Sequence, residues 1–143
     1  MSDRTTNGMS ESDHPLPWHF NVHDMPDSIP RKLGEGIQAN IVSSPNVMVS
    51  VVRFAPNTAS AVHSHAEEQW GVLLEGSCTR LQGSEAVDMQ VGDFWCTPGG
   101  IEHGLVAGSQ GAMTLEIFCP PRSVYRVAGK GVGGGGHVRT EST

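Results

Sequence analysis

Charged residues make up only 17% of the 143-residue sequence, which has neither a basic cluster nor a long apolar run. Without clustered Lys and Arg side chains the chain lacks the surface of a nucleic-acid-binding protein, so no nucleic-acid partner is expected. No apolar segment reaches the roughly 20 residues needed to cross a bilayer, so no membrane contact is expected either. The polar N-terminus also lacks the apolar segment of a signal peptide, which predicts a cytoplasmic protein.

Cysteine is scarce as well. The three cysteines, Cys78, Cys96 and Cys119, are odd in number, and none forms a Cys-x-x-Cys pair. This spacing argues against both a disulfide framework and a thiolate zinc site. We therefore expect reduced thiols that act as small hydrophobic side chains on strands.

Helical periodicity is missing from the sequence, whereas turn-forming residues are abundant, with 18 glycines and 9 prolines. Short apolar segments alternate with turn signals such as Ser-Pro-Asn and Pro-Gly-Gly, a pattern typical of an all-β barrel or sandwich. We expect strands near Ile37–Ser43, Val47–Phe54, Ser60–His65, Gln69–Glu75, Cys78–Gln82, Ala86–Gln90, Asp93–Thr97, Gly104–Ala107 and Met113–Phe118.

The two ends of the chain differ in composition from the segment between them. Residues 1–17 are rich in Ser, Thr, Asn and Asp, residues 129–143 are rich in Gly, and neither end shows apolar periodicity. We expect a flexible N-terminal tail at residues 1–17, one folded domain at 18–128 and a flexible C-terminal tail at 129–143.

Three histidines have the spacing of a metal site. His63 and His65 are two residues apart, so on a strand both imidazoles point to the same face. His103 follows the rigid turn Pro98-Gly99-Gly100, which can direct its side chain across a barrel toward the first pair. Imidazoles arranged in this way suit Zn, Ni, Co, Fe or Mn.

The two histidine-containing segments resemble the paired sequence signatures of the cupins. The matching residues are His63, His65 and Gly76 in the first signature and Gly92, Pro98, Gly100 and His103 in the second. The resemblance implies a jelly-roll β-barrel, the cupin-like double-stranded β-helix, holding one divalent transition metal. It implies that the ligands are His63, His65, His103 and the residue at the fourth ligand position, Gln69.

The chain departs from the cupin signatures at three positions. Gln69 stands where the first signature has Glu, Asn57 stands at its opening Gly, and Ala107 replaces the closing Asn of the second. The neighbouring acids Glu67 and Glu68 do not fit the signature spacing, and we interpret them as a solvated loop. A neutral amide leaves the full charge of a divalent ion in place, which favours Lewis-acid chemistry over redox chemistry.

The last predicted strand carries a carboxylate in an apolar setting. By alternation Glu116 and Phe118 share one face, and Arg122 and Tyr125 follow. This ending resembles that of the cupins that open the ring of unsaturated uronates. The resemblance implies that Glu116 and Arg122 are catalytic and that Phe118 lines the active site. The alternative is an outward-facing Glu116 paired with Arg80 or Arg53.

A second resemblance is to the small cupin-type polyketide cyclases. An apolar pocket would suit a poly-β-keto substrate, and its candidate lining is Phe94, Trp95, Trp70, Met48 and Met113. The alternative for most of these side chains is core packing. Across both resemblances the expected substrate pocket comprises Phe118, Trp70, Tyr125 and Met48.

These observations predict a metal-dependent lyase, isomerase or cyclase that acts on an enolisable, oxygen-rich small molecule, with Glu116 as the proton carrier. Two alternatives stay open: an Fe(II)-dependent dioxygenase at the same site, and a metabolite-binding barrel without turnover. His19 or His23, on the arm before the first strand, could approach the metal as an extra ligand. Apolar outer strand faces predict a homodimer.

Overall fold

The computed structural model describes residues 17–132 and 138–139, and these residues form strands and one short 3-10 helix. The strands are β1 (Ile29–Gly34), β2 (Ile37–Ser43), β3 (Met48–Phe54), β4 (Val62–His63), β5 (Glu68–Gln82), β6 (Glu85–Met89), β7 (Phe94–Thr97), β8 (His103–Cys119), β9 (Gly129–Lys130) and β10 (Val138–Arg139). The 3-10 helix is Ser123–Arg126. The described part of the chain contains no helix that is long and apolar enough to cross a membrane. The predicted all-β jelly-roll architecture is confirmed.

The strands pair mainly antiparallel around the two longest members, β5 and β8. One path through the sheet runs β10-β4-β8-β3-β2-β1-β9, and β5 pairs with β6, β7 and β8. Residue His63 of β4 lies directly opposite His103, the first residue of β8. This topology brings a segment near position 63 and a segment near position 103 to the same end of the barrel.

The two long strands were each predicted as two shorter ones, and that prediction is wrong. The pairing of β5 with β8 is interrupted by register shifts between Leu73 and Glu75 and between Gly76 and Cys78. Gly76 has φ 82°, and a Cβ there would collide with the carbonyl of Gly111 on β8. Such bulges bend a strand without ending it, which the turn-like composition does not reveal.

Strand β1 was not predicted, because Pro30 and two basic residues interrupt its apolar pattern. It pairs antiparallel with β2 and parallel with β9. Arg31 is nonetheless buried, since its guanidinium donates to the carbonyls of Val124, Lys130 and Gly131 at 3.2, 2.8 and 2.8 Å. These bonds hold the C-terminal segment, defined here as residues 129–132, against the barrel.

The predicted domain boundaries at 18 and 128 follow the fold only in part. The C-terminal segment pairs with β1 and contains the buried side chain of Val132, so the folded domain continues past residue 128. Side-chain hydrogen bonds hold the backbone of this segment in place, and such bonds leave no apolar periodicity in the sequence. Composition alone therefore assigns the segment to the flexible tail. Residues 1–16, 133–137 and 140–143, including His14 and His137, lie outside the described residues.

Candidate metal centre

Three buried histidines converge at one end of the barrel. His63 ends β4, His65 follows it in the adjoining loop, and His103 begins β8. Their ring centroids are 4.6 Å (63 to 103), 4.9 Å (65 to 103) and 5.6 Å (63 to 65) apart. One nitrogen from each ring lies within 4.8 Å of the other two, so the three can bind a single ion.

Backbone carbonyls determine which ring nitrogen carries the proton. The Nδ1 atoms of His63, His65 and His103 lie 3.0, 3.0 and 2.8 Å from the carbonyls of Ala61, Glu67 and Ile101, respectively. A carbonyl only accepts, so each Nδ1 is the donor and each Nε2 keeps its lone pair. The Nε2 of His103 is buried and has no hydrogen-bond partner among the described residues. The residues present therefore fit a divalent metal ion.

Burial keeps these imidazoles uncharged at neutral pH. Desolvation lowers the pKa of His63 to about 4 and that of His103 to about 2, and it also lowers the pKa of His65. Neighbouring cations add to the effect: Arg80 lowers the pKa of His103, and Arg122 that of His65. Only neutral imidazole coordinates a metal, so burial prepares the three rings as ligands.

The turn before β8 positions the third histidine. Gly100, with φ 84°, donates its N–H to the carbonyl of His65 at 2.8 Å, which ties the Pro98–Gly100 turn to the other end of the site. Asn57, which replaces the opening glycine of the first cupin signature, has φ 60°. Asn tolerates this left-handed conformation better than most residues, so the substitution preserves the turn.

Gln69 bridges the histidine cluster and Glu116. Its Oε1 lies 2.9 Å from the Nε2 of His65, and its Nε2 donates to the Oε1 of Glu116 at 2.8 Å. Two acceptors, the His65 Nε2 lone pair and the amide oxygen, therefore face each other, an arrangement that a shared cation satisfies. A Glu at position 69 would instead place a second carboxylate against Glu116, and mutual repulsion would disfavour ionisation of both.

The histidines open into an internal cavity. Its lining includes Gln69, Glu116, Phe118 and Tyr125, together with Ser50, Arg80 and several aliphatic side chains. Glu116 is the one carboxylate among the described lining residues. A Cβ at Gly71 would collide with both the Glu116 carboxylate and the indole nitrogen of Trp95, so a larger residue there would displace one or both side chains. The inward position of Glu116 excludes the alternative of an outward pair with Arg80 or Arg53.

Phe118 and Tyr125 form an aromatic wall beside the histidines. The Phe118 ring lies 5.7 Å from the His65 ring and 5.8 Å from the Tyr125 ring, both edge to face. Both side chains are buried and contact the cavity, as expected for substrate-pocket residues. This apolar surface limits the access of water to the three histidines.

Arg122 lies beside the cavity without lining it. Its Nη1 donates to the carbonyl of Val132 at 2.7 Å, and its guanidinium stacks on Tyr125 at 4.5 Å. Its Nε lies 3.9 Å from the Glu67 carboxylate. The expectation that Arg122 is catalytic is therefore corrected, because its guanidinium contacts the C-terminal segment and Tyr125 rather than the cavity. Glu67, expected to be solvated, is half-buried in this contact.

Two expected pocket residues lie elsewhere. Trp70 is 42% exposed and points outward, because alternation along β5 sends Gln69 inward and its neighbour to the opposite face. Met48 is fully buried in the hydrophobic core and does not line the cavity. His19 is exposed, and His23 forms an exposed contact with Glu75 at 3.4 Å, so neither belongs to the histidine cluster.

Sequence reasoning missed three polar residues that line the cavity, Ser50, Ser60 and Arg80. Ser50 and Arg80 are buried, and each has a polar atom without a hydrogen-bond partner among the described residues. Alternation along β5 places Cys78, Arg80 and Gln82 on one face of the strand, but it does not show whether that face points into the barrel.

Comparisons with known proteins agree with this geometry. A family model described as a cupin domain matches residues 50–119, a span that contains all three histidines and Gln69. The pectin degradation protein KdgF of Dickeya dadantii (strain 3937) is 26% identical over 96 residues, 66% of this chain and 87% of that protein.

Solved structures have the same fold. The structure of KdgF from Halomonas sp. matches with a TM-score of 0.62 and 26% identity, over 66% of this chain and 90% of that chain. An RmlC-like cupin from Shewanella frigidimarina NCIMB 400 matches with a TM-score of 0.64 and 20% identity, over 69% of this chain and 89% of that chain. The second likeness shows the fold alone.

Proposed function

Because the chain carries a cupin domain and so belongs to the cupin superfamily, we propose that it is a metal-dependent enzyme that opens the ring of an unsaturated uronate without redox chemistry. The observation that carries this proposal is the Gln69 bridge, with its amide oxygen at the histidine cluster and its amide nitrogen on Glu116. One side chain thereby joins an uncharged ligand set to a proton carrier. The KdgF relatives support the substrate class, since one of them is named for pectin degradation.

The proposed reaction is an isomerisation and needs no oxidant. The hydroxyl on the hemiacetal carbon of the substrate loses its proton to Glu116. The bond from that carbon to the ring oxygen then breaks, and the electron pair of this bond remains on the ring oxygen, which becomes the oxygen of an enolate. The carbon of the enolate double bond that does not carry the oxygen then takes the proton back from Glu116. The former hemiacetal carbon is now an aldehyde, and the enolate has become a ketone. Glu116 serves as base and then as acid, the role for which a lone cavity carboxylate is suited.

When bound at the three histidines and Gln69, a divalent ion supplies positive charge that stabilises a negative oxygen. Because all four donors are uncharged, the ligand set neutralises none of that charge. Gln69 also orients Glu116 through the 2.8 Å hydrogen bond. Phe118 and Tyr125 exclude water from the same space, which strengthens electrostatic interactions within it.

The test is an assay of metal-loaded protein with an unsaturated galacturonate, followed by proton NMR. We expect the vinyl proton signal to disappear, and we expect chelation of the metal to stop the reaction. Oxygen uptake with substrate turnover would instead indicate a dioxygenase, and binding without turnover a sensing barrel. Conversion of a poly-β-ketone by a protein that does not convert the uronate would indicate a cyclase. Each of these three outcomes contradicts the proposal.

We further propose that the protein is a homodimer formed through its outer apolar face, defined as Trp70, Val72, Phe94, Leu115 and Ile117. The Trp70 and Phe94 rings stack at 6.5 Å, yet they are 42% and 69% exposed. An exposed apolar patch of this kind on a small barrel suits contact with a second copy. All three cysteines are free thiols, which fits a reducing compartment such as the cytoplasm.

Phe94→Glu should weaken the dimer by about tenfold or more, because it places a charge in the middle of an apolar contact. Light scattering across a dilution series measures the change. Val87→Glu is the matched control, since Val87 is 49% exposed on β6, outside the outer apolar face, and should leave the dimer intact. A monomeric wild type, or equal effects of both variants, would contradict the dimer.

A further inference from the structure

One arginine is buried inside the metal-binding cavity. Arg80, on β5, is only 4% exposed and lines the same space as His63, His103 and Glu116. Among the described residues no carboxylate lies within ion-pair distance, 4.0 Å, of its guanidinium. A buried charge without a paired ion is costly, so a protein that keeps one usually has a use for it.

The guanidinium of Arg80 is held in a fixed orientation. Its Nη2 donates to the Oγ1 of Thr97 at 2.8 Å, and Thr97 in turn donates to the Oε1 of Gln82 at 2.7 Å. Gln82 is anchored by donation to the carbonyl of Cys96 at 2.7 Å. The guanidinium also lies over the Trp95 ring, 5.2 Å from its centroid. These contacts orient and partly stabilise the guanidinium, but none of them supplies a negative charge.

Two polar atoms on residues that line the cavity lack partners. The Nε of Arg80 and the Oγ of Ser50 are buried without a hydrogen-bond partner in the described part of the protein, and both residues line the cavity. Ser50 is only 1% exposed. An unsatisfied buried donor destabilises the fold, and it does so more strongly when it is charged. A bound ligand with acceptor oxygens would satisfy both.

The charges around the cavity favour an anion. Arg80 and the ion expected at the histidines are positive, and together they outweigh the one lining carboxylate, Glu116, which acts on Arg80 electrostatically across the cavity. Arg80 and Glu116 line the same cavity without forming an ion pair, so the cation stays available to a ligand. Arg122, by contrast, is engaged by the Val132 carbonyl and lies outside the lining.

We propose that Arg80, assisted by Ser50, is the subsite that binds the carboxylate of the substrate and thereby selects uronates over neutral sugars. The inference rests on the proposed function and adds a specificity residue to it. A carboxylate presents two oxygens to the guanidinium donors that Thr97 leaves free, and such charge-assisted bonds are stronger than neutral ones. This places the sugar ring between Arg80 and the histidines, within reach of Glu116.

Calorimetric binding of D-galacturonate and D-galactose to the metal-loaded full chain tests the subsite without turnover, because neither saturated ring has the double bond that the reaction requires. We expect wild type to prefer galacturonate by about tenfold or more and Arg80→Gln to lose that preference with its metal content unchanged. Arg80→Lys should restore part of it. Arg122→Gln, the guanidinium control, should keep it.

Ser50→Ala supplies a milder variant if Arg80→Gln fails to fold. It should weaken galacturonate binding about fivefold and leave galactose binding unchanged. The inference is overturned if wild type shows no preference, including no binding of either sugar. It is also overturned if Arg122→Gln rather than Arg80→Gln removes the preference, or if Ser50→Ala has no effect in a protein whose Arg80→Gln variant is unfolded. Preference without ring opening would overturn the proposed function and leave the subsite standing.

Discussion

Replacing His103 by alanine should reduce the metal content from about one ion per chain to nearly none. The Nε2 of His103 is buried and has no hydrogen-bond partner among the described residues, so a metal is the partner that its environment lacks. Loss of one imidazole from a four-donor set should weaken affinity by about a hundredfold or more. Elemental analysis of purified protein, with metal added and then removed by gel filtration, measures the change.

The matched control for this experiment is His23→Ala. His23 is exposed and contacts Glu75 at the surface, so its removal should leave the metal content unchanged. Circular dichroism of both variants separates metal loss from unfolding. An His103→Ala protein that is folded and keeps a full complement of metal would show that the ion binds elsewhere.

Glu116→Gln should lower kcat for uronate ring opening by about 10²- to 10⁴-fold, because the amide has the shape of the carboxylate but does not carry a proton between oxygen and carbon. The variant should keep its metal, since the hydrogen bond from Gln69 is the one that joins Glu116 to the proposed ligands in the described part of the chain. KM should change little, since Arg80 rather than Glu116 binds the substrate carboxylate in this account. Steady-state kinetics with parallel elemental analysis measures all three quantities.

Glu68→Gln is the comparison for the Glu116 variant. Glu68 is exposed and accepts a hydrogen bond from Trp70 at 2.8 Å on the outer side of β5, a bond that an amide oxygen also accepts. The kcat of the Glu68→Gln variant should equal that of wild type within about twofold. Near-normal turnover by metal-loaded Glu116→Gln would assign the proton transfer to another group.

The proposed ligand positions can be predicted from sequence because they depend on local spacing. His63 and His65 need only strand alternation to share a face, and His103 needs only a rigid turn before it. Gln69 was found through its place in a cupin signature. Its second bond, to Glu116, depends on the pairing of β5 with β8, which joins residues 47 positions apart. Spacing alone does not contain that contact.

The expectations that failed depend on contacts distant in sequence. Arg122 matched by spacing the catalytic arginine that the resemblance implies, but its partner is the Val132 carbonyl in a segment predicted to be a flexible tail. The sequence offers Arg80 only as a partner for an outward-facing Glu116, because alternation in Cys78–Gln82 does not identify the inner face. The outward position of Trp70, however, can be predicted from sequence, because Trp70 follows Gln69 on a strand and an inward Gln69 requires an outward neighbour.

The central claim is that four uncharged side chains bind one divalent ion, and anomalous diffraction from metal-loaded crystals tests it most directly. The account predicts a single anomalous peak about 2.0–2.2 Å from the Nε2 atoms of His63, His65 and His103 and from the Oε1 of Gln69. A peak that excludes Gln69, a peak elsewhere in the barrel, or no peak after saturation with Zn, Mn, Fe, Co and Ni would contradict it.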